Sequence, residues 1–256
     1  MRASVGAVVL LLVGVVQAAS KEACELGFWN KMHAQGFMKA GKHNEHSAHY
    51  KSVFTRGFRI GIEFFRDKKV LDIGCGPVGS LEWLRGVAST SCADPLAEEY
   101  SALGASQHGT TYVAAGVERL PFISGSFDVA TSLNNFDHID NTSRGLREVF
   151  RVLRPGGHFL IAVEVHAKPY RCEPRVLPWN FEDVISALGF DIQYVRHQLI
   201  QEPNRGTKSL YAHTDEKATG TLTGEWHPAP TTKAPFWMVG IFRKRNATTS
   251  VSMVRS

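Results

Sequence analysis

Ten consecutive residues constrain this chain more than any others: Val70-Leu71-Asp72-Ile73-Gly74-Cys75-Gly76-Pro77-Val78-Gly79. A short apolar run ends in a Gly-x-Gly-x-x-Gly turn. The run reads as a buried strand, and the glycines let the backbone bend sharply and approach a ligand closely. Leu81 and Leu84 follow at helical spacing. A strand, a glycine turn and a helix start together present free N–H groups to an anion. A dinucleotide phosphate would suit such a place, and so would the carboxylate of an amino-acid-like ligand.

The rest of the chain continues the alternation. Strand-like runs lie at 90–93, 111–114, 127–133, 158–163, 190–197 and 236–243. Leu146, Val149, Phe150 and Leu153 mark a helix that stops at Arg154-Pro155-Gly156-Gly157. Residues 181–188 read as another, capped by Asn180 and stopped by Gly189. Strands interleaved with helices predict an α/β fold: a parallel sheet with helices on both faces. This domain spans 68–245, with 199–234 (polar, rich in Pro, Gly and Thr) as an excursion or lid and 246–256 as a tail.

Residues 20–67 read as a helical cap. Leu26, Trp29, Met32, Gly36 and Ala40 recur at helical spacing, with Gly41 as a stop. Tyr50, Phe54, Phe58, Ile62 and Phe65 form a second stripe, weakened by Gly57 and Gly61. His43, His46 and His49 form an HxxHxxH row, read as solvated histidines rather than a metal site. No metal is expected.

Before the cap, Met1-Arg2 leads into an apolar run from Val5 to Val16 and then Gln17-Ala18-Ala19-Ser20. That is a signal-peptide pattern over 1–19, with cleavage expected near Ala18 or Ala19. The expected destination is the secretory pathway; an uncut anchor or targeting to an organelle is the alternative. No later segment is apolar enough to span a membrane. Cys24, Cys75, Cys92 and Cys172 are too scattered for a small-domain disulfide framework, and no CxxC pair suggests zinc. Asn141-Thr142-Ser143 and Asn246-Ala247-Thr248 are sequons. The net charge of +5 reads as a solvated basic face. No basic–aromatic module points to nucleic acid.

Two carboxylates narrow the ligand. Asp72 sits where the first strand surfaces, and there it disfavours a pyrophosphate but supports a cationic amino group. Asp94 ends the next strand, where a carboxylate can accept both hydroxyls of a ribose. A ribonucleoside with ammonium and positive charge fits, as in S-adenosylmethionine.

With these residues in view, the sequence resembles the class I S-adenosylmethionine-dependent methyltransferases. Val70–Gly76 resembles the family's first motif and Asp94 its ribose-binding acid. Gly116-Val117-Glu118-Arg119-Leu120-Pro121-Phe122 resembles the stretch that packs on adenine, and Val152–Gly157 the turn into the fifth strand. The resemblance covers about 68–165. It implies a Rossmann-like, doubly wound, mostly parallel seven-stranded sheet with an antiparallel last strand, S-adenosylmethionine as cofactor, and a small-molecule acceptor. It also implies that Asp72, Gly74, Cys75, Gly76, Asp94, Pro95, Val117, Glu118 and Asn134 surround the cofactor. An acid is often found two positions before Glu118, and Gly116 stands there instead.

Methyl transfer from a sulfonium is an in-line displacement that needs alignment in a dry pocket, and a base only where the acceptor is protonated. His138, His166 and Glu164 follow the fourth and fifth strands and are the candidates for that base. Phe28-Trp29, Trp179, Tyr170 and Trp226-His227 are candidates to line or close the acceptor pocket. The other readings are a nicotinamide-dependent oxidoreductase on the same sheet and a non-catalytic binder.

Overall fold

A computed structural model of the chain describes residues 21–36, 43–170, 172–200, 210 and 235–246. Strands β1 (Lys69–Ile73), β2 (Ser89–Asp94), β3 (Thr111–Ala114), β4 (Phe127–Leu133), β5 (Leu153–Val165), β6 (Phe190–Leu199) and β7 (Phe236–Lys244) form one sheet. Their order is β3-β2-β1-β4-β5-β7-β6. The pairs β1–β2, β1–β4, β2–β3 and β4–β5 are parallel, while β7 runs antiparallel to β5 and β6. The expected fold class holds, including the reversed last strand.

Alternation along the strands divides the core between the two faces. From β5, Phe159, Ile161, Val163 and Val165 enter one cluster, with Leu146, Val149 and Val152 of α4 (Thr142–Val152) and Phe181 and Ile185 of α5 (Phe181–Ala187). Leu160 and Ala162 point to the other face and meet Phe54, Phe58, Phe65, Leu81 and Trp83. Burying each of these large side chains contributes about 1.5–3 kcal/mol, so both covers are firmly attached.

The second cover differs from expectation. The helix predicted at Leu81 and Leu84 is absent: residues 76–83 form successive turns. Closing contacts are short-range, Glu82 N–H to Gly79 O and Leu84 N–H to Leu81 O. Gly74, Gly76 and Gly79 all have positive φ. A disulfide also ties Cys75 to Cys92 on β2. The segment is therefore held as a folded loop, its apolar residues filling the core without helical geometry.

Helix α1 occupies residues 21–34 and ends at Gly36, φ 76°, earlier than the predicted Gly41, which lies outside the described residues. Leu26 and Trp29 pack on Leu96 and Tyr100, next to and within α3 (Ala97–Ala102). Helix α2 (His43–Ser52) does not carry its stripe to Phe65. It passes into a π-helical turn (Val53–Gly57) and then a 3₁₀ turn (Ile62–Phe65). Gly57 and Gly61 break the run, and Arg59 between them has φ 55°. Among the described residues no helix is long and apolar enough to cross a membrane. The signal-peptide pattern, the tail from 247 and most of the 199–234 excursion, Trp226-His227 included, lie outside the described residues.

Candidate active site

The carboxyl ends of β1, β2 and β4 open into a cavity of about 610 Å³. This is where a ligand is expected in an open α/β sheet, beside the switch in strand order. One wall is the glycine turn. Asp94 fixes it: Oδ2 accepts from Gly76 N–H at 3.2 Å and Oδ1 from Leu96 N–H at 2.9 Å. Tyr112 O–H donates to Gly76 O at 3.1 Å, holding the same residue from its carbonyl side. Burial pushes the Asp94 carboxyl up to about 6, against the two N–H donors, and the negative charges of Glu25 and Asp72 push the same way.

Asp72 has a different place. It is 1% exposed and does not line the cavity. Its oxygens accept from Ser80 O–H and from Thr131 O–H, the latter at 2.7 Å. Burial again pushes this carboxyl up to about 6, opposed by the two hydroxyls. The side chain ties the turn segment after the glycines to β4, and Asp72 does not itself reach the cavity. Gly74, Cys75, Gly76, Asp94, Pro95, Val117, Glu118 and Asn134 do line the cavity. Cys75 is half of a disulfide, which excludes it as a nucleophile in this state. Both disulfides correct the expectation that the four cysteines form no framework: Cα separations of 5.5 Å and 6.1 Å bring every cysteine into a pair.

Glu118 serves the backbone. Its Oε1 accepts from Asp140 N–H at 2.8 Å and Asn141 N–H at 2.7 Å, while Asn141 Oδ1 caps α4 through Arg144 N–H. Its other oxygen remains beside Gly116. At the end of β4, Asn134 takes φ 51°, in the left-handed region that asparagine adopts more readily than most non-glycine residues. Oδ1 of Asn134 and Oδ1 of Asn135 are buried without a hydrogen-bond partner. Both residues line the cavity, so both oxygens are acceptors waiting for a donor.

Helix α1 forms the opposite wall through Lys21, Glu22, Glu25, Phe28 and Trp29. These positions share one helical face. Trp29 Nε1–H donates to Glu25 Oε1 at 2.7 Å. The disulfide Cys24–Cys172 ties this helix to the strap after β5, and Lys21 pairs with Asp140 at 2.9 Å. His46, His49 and Tyr50 of α2 also line the cavity, so the histidine row faces the site and not bulk solvent alone. The His43 side chain lies outside what is described.

The three proposed bases differ in their access to the cavity. His138 lines the cavity. His166 is 1% exposed and stands behind the wall, its ring 4.8 Å from that of Tyr170. Burial works against its charged form, but the carboxylates of Asp137 and Glu173 prevail and raise its pKa. Burial, with Glu173 and Asp137 adding repulsion, pushes the Glu164 carboxyl up to about 7. Only His138 is placed to touch an acceptor. Of the aromatic candidates, Phe28 and Trp29 line the cavity, Trp179 packs in the core against Phe236, and Tyr170 is exposed.

Sequence reasoning missed Glu25 and Glu173. Each follows a cysteine, and the disulfide joins the two segments that carry them. The absent helix after the glycine turn also weighs against a dinucleotide, because no helix N-terminus is there to hold a pyrophosphate.

Comparison with known proteins agrees with this geometry. Residues 71–161 match the profile of a family described as a methyltransferase domain. The chloroplastic tocopherol O-methyltransferase of Arabidopsis thaliana is 30% identical over 121 residues, 44% of this chain and 35% of that one. The demethylmenaquinone methyltransferase of Mycolicibacterium vanbaalenii is 33% identical over 108 residues, 42% of this chain and 47% of that one. The chain thus spans about a third to a half of the length of these curated relatives. A chain in the Haloferax volcanii complex of the Trm112 methyltransferase activator has the same fold, with TM-score 0.54 and 15% identity over 83% of this chain and 96% of that one. From the motifs, the strand order and the profile match, residues 71–161 form a methyltransferase domain.

Proposed function

We propose that the protein transfers a methyl group from S-adenosylmethionine to a small-molecule acceptor. The observation that carries this reading is Asp94. It ends β2 at the cavity, with each oxygen bound to one backbone N–H and a lone pair left on each for the two ribose hydroxyls. The other donors and acceptors fit as well. The orphaned Oδ1 atoms of Asn134 and Asn135 suit a cationic amino group, and Gly74 and Gly76 of the glycine turn line the cavity beside them. When bound, S-adenosylmethionine supplies a methyl group on a positively charged sulfur, ready for displacement by a nucleophile.

The protein's part is alignment and exclusion of water. Phe28 and Trp29 of α1 supply the apolar part of the wall on that side, beside Lys21, Glu22 and Glu25. His138 stands at the cavity wall, and its ring can take a proton from an acceptor hydroxyl or amine. The two relatives above are named for tocopherol and demethylmenaquinone, both small molecules, and they support a small acceptor here. The apolar contribution of Phe28, Trp29, Tyr50 and Leu133 to the cavity suits an acceptor with aromatic or aliphatic surface.

We also propose that the chain works in the secretory pathway. Two disulfides among the described residues suit an oxidising compartment, and the N-terminal pattern of a basic start and short apolar run suits export. Sequencing the N-terminus of the native protein tests this, and an intact Met1 would count against it.

Isothermal titration of the purified protein with S-adenosylmethionine and, separately, with NAD tests the main reading. Micromolar binding of the first and none of the second is expected. Binding of NAD alone would replace it with the oxidoreductase reading. Binding of S-adenosylmethionine without turnover across phenolic, quinol and amine acceptors would leave a non-catalytic binder.

A further inference from the structure

Four side chains meet at the carboxyl ends of β4 and β5, just behind the cavity wall. His166 Nε2 lies 3.8 Å from Asp137 Oδ2 and 4.0 Å from Glu173 Oε2. His138 Nε2 lies 3.7 Å from Asp137 Oδ1 and 3.9 Å from Glu173 Oε1. Nitrogen and oxygen donors therefore alternate around a common space. One ligand atom from each of Asp137, His166 and Glu173 lies within 4.8 Å of the other two.

Two of these groups, Asp137 and His166, are buried and unsatisfied, while His138 and Glu173 are partly buried. Asp137 is 0% exposed and His166 1%. Neither carboxylate oxygen of Asp137, neither ring nitrogen of His166, nor Nε2 of His138 has a hydrogen-bond partner. A buried carboxylate without a donor retains its desolvation cost. Direct hydrogen bonds between the rings and carboxylates would need separations of about 2.7–2.9 Å, and the side chains stand about an ångström further apart. Ligands held tetrahedrally at about 2.1 Å from a zinc ion lie about 3.4 Å from one another, much nearer to what is seen. The donor set is imidazole with carboxylate and no thiolate. That chemistry favours first-row divalent ions over calcium and magnesium, which prefer oxygen alone.

We propose that Asp137, His166 and Glu173, with His138 beside them, bind one first-row divalent cation of the zinc or manganese type. His138 and Glu173 line the cavity, so the ion's remaining coordination position opens on it. An acceptor with a hydroxyl or carboxylate can reach that position, and coordination lowers the pKa of a hydroxyl. This role toward an acceptor rests on the methyl-transfer reading, but the cation site does not. The Cys24–Cys172 disulfide holds the strap that carries Glu173, so the fourth side of the site is fixed by a covalent bond.

The full chain is stripped with EDTA and titrated calorimetrically with Zn2+ and Mn2+, and with Co2+ while visible absorption is followed. The expected result is one ion per chain, a higher Tm on loading, and cobalt bands of an imidazole–carboxylate site. His166→Gln and Glu173→Gln should each weaken binding at least about tenfold, or 1.4 kcal/mol. Glu173 is on the strap and not in the core, so Glu173→Gln remains informative if His166→Gln fails to fold. His46→Gln with His49→Gln should leave the stoichiometry at one. Failure of all three ions to bind would overturn the site, as would wild-type affinity in Glu173→Gln or loss of the ion only in the His46, His49 variant. Titration of the EDTA-treated protein with S-adenosylmethionine keeps the two readings apart, because that binding does not require the ion.

Discussion

Cys24 and Cys172 are joined across 148 positions of sequence, with Cα atoms 5.5 Å apart. The bond brings their neighbours, Glu25 and Glu173, to the ring of His138 at 3.8 Å and 3.9 Å. A cross-link between the start of the described chain and the strap after β5 thus builds one wall of the cavity. A loop of this length restricts the unfolded chain by about 5 kcal/mol in the chain-entropy account. Cys24→Ala should lower the denaturant midpoint markedly and weaken S-adenosylmethionine binding, since α1 also carries Phe28 and Trp29. Urea titration and calorimetry on the variant check both, and an unchanged midpoint with unchanged affinity would show that the helix docks without its tether.

Asp94 carries the cofactor reading, so its removal gives the sharpest test of it. Hydrogen bonds from hydroxyls to a buried carboxylate are worth about 1.5–3 kcal/mol. Asp94→Ala should raise the Kd for S-adenosylmethionine about 10- to 100-fold. The same change also frees Gly76 N–H and Leu96 N–H, so some loss of Tm is expected. Asp72→Asn, which alters a carboxylate that is bound by Ser80 and Thr131 and does not line the cavity, should cost stability while moving the Kd much less. Equal loss of affinity in both variants would contradict the division of labour between the two carboxylates.

The same residues predict a pH dependence. Asp94 and Asp72 titrate at about 6, up from 3.8, burial being the main cause for each. Asp94 is faced by Gly76 N–H, Leu96 N–H, Glu25, Asp72, Tyr100 and Tyr112; Asp72 by Ser80, Thr131, Ile73 N–H, Tyr50, Tyr112 and Asp94. A carboxyl raised in the folded state favours folding most when protonated, and that contribution is lost as pH rises through about 6. The unliganded protein should therefore gain stability relative to Asp94→Asn as pH falls through this range. Binding should move the other way, because a protonated Asp94 loses an acceptor for the ribose. Calorimetric Kd values from pH 5 to 7.5 should weaken below about 6. A flat profile would mean that Asp94 does not bind the ligand as a carboxylate.

The parts of this picture that were legible in sequence share one cause. Short apolar runs and glycine punctuation report local backbone geometry, so β1, β3 and β4, the glycine turn, Asp94 and Asn134 were all locatable. What failed depended on tertiary context. Leu81 and Leu84 have helical spacing, yet three positive-φ glycines and the Cys75–Cys92 bond hold 76–83 as turns. Asp72 lies at the right position for a ligand, but Ser80 and Thr131 claim its oxygens. Glu25 and Glu173 carry no local signal, because the bond that places them joins residues 148 apart. The Asp137, His166 and Glu173 cluster likewise draws on β4, β5 and the strap, which no window of sequence spans.

The glycine turn offers a prediction with its own control. Gly74 and Gly86 have the same φ of 70°, so an alanine at either pays a similar conformational cost of about 1–2 kcal/mol. Their surroundings differ. A Cβ at Gly74 would meet Asn135 Nδ2 at 2.2 Å and its Cγ at 2.4 Å, whereas one at Gly86 would meet nothing within 4 Å. Asn135 lines the cavity and would have to leave its present position, taking its buried acceptor with it. Gly86→Ala should thus lose stability alone, with the S-adenosylmethionine Kd unchanged. Gly74→Ala should lose more stability and about tenfold or more in affinity, or roughly 1.4 kcal/mol. Thermal denaturation and calorimetry on the two variants separate strain from contact, and equal affinity in both would show that Asn135 takes no part in holding the cofactor.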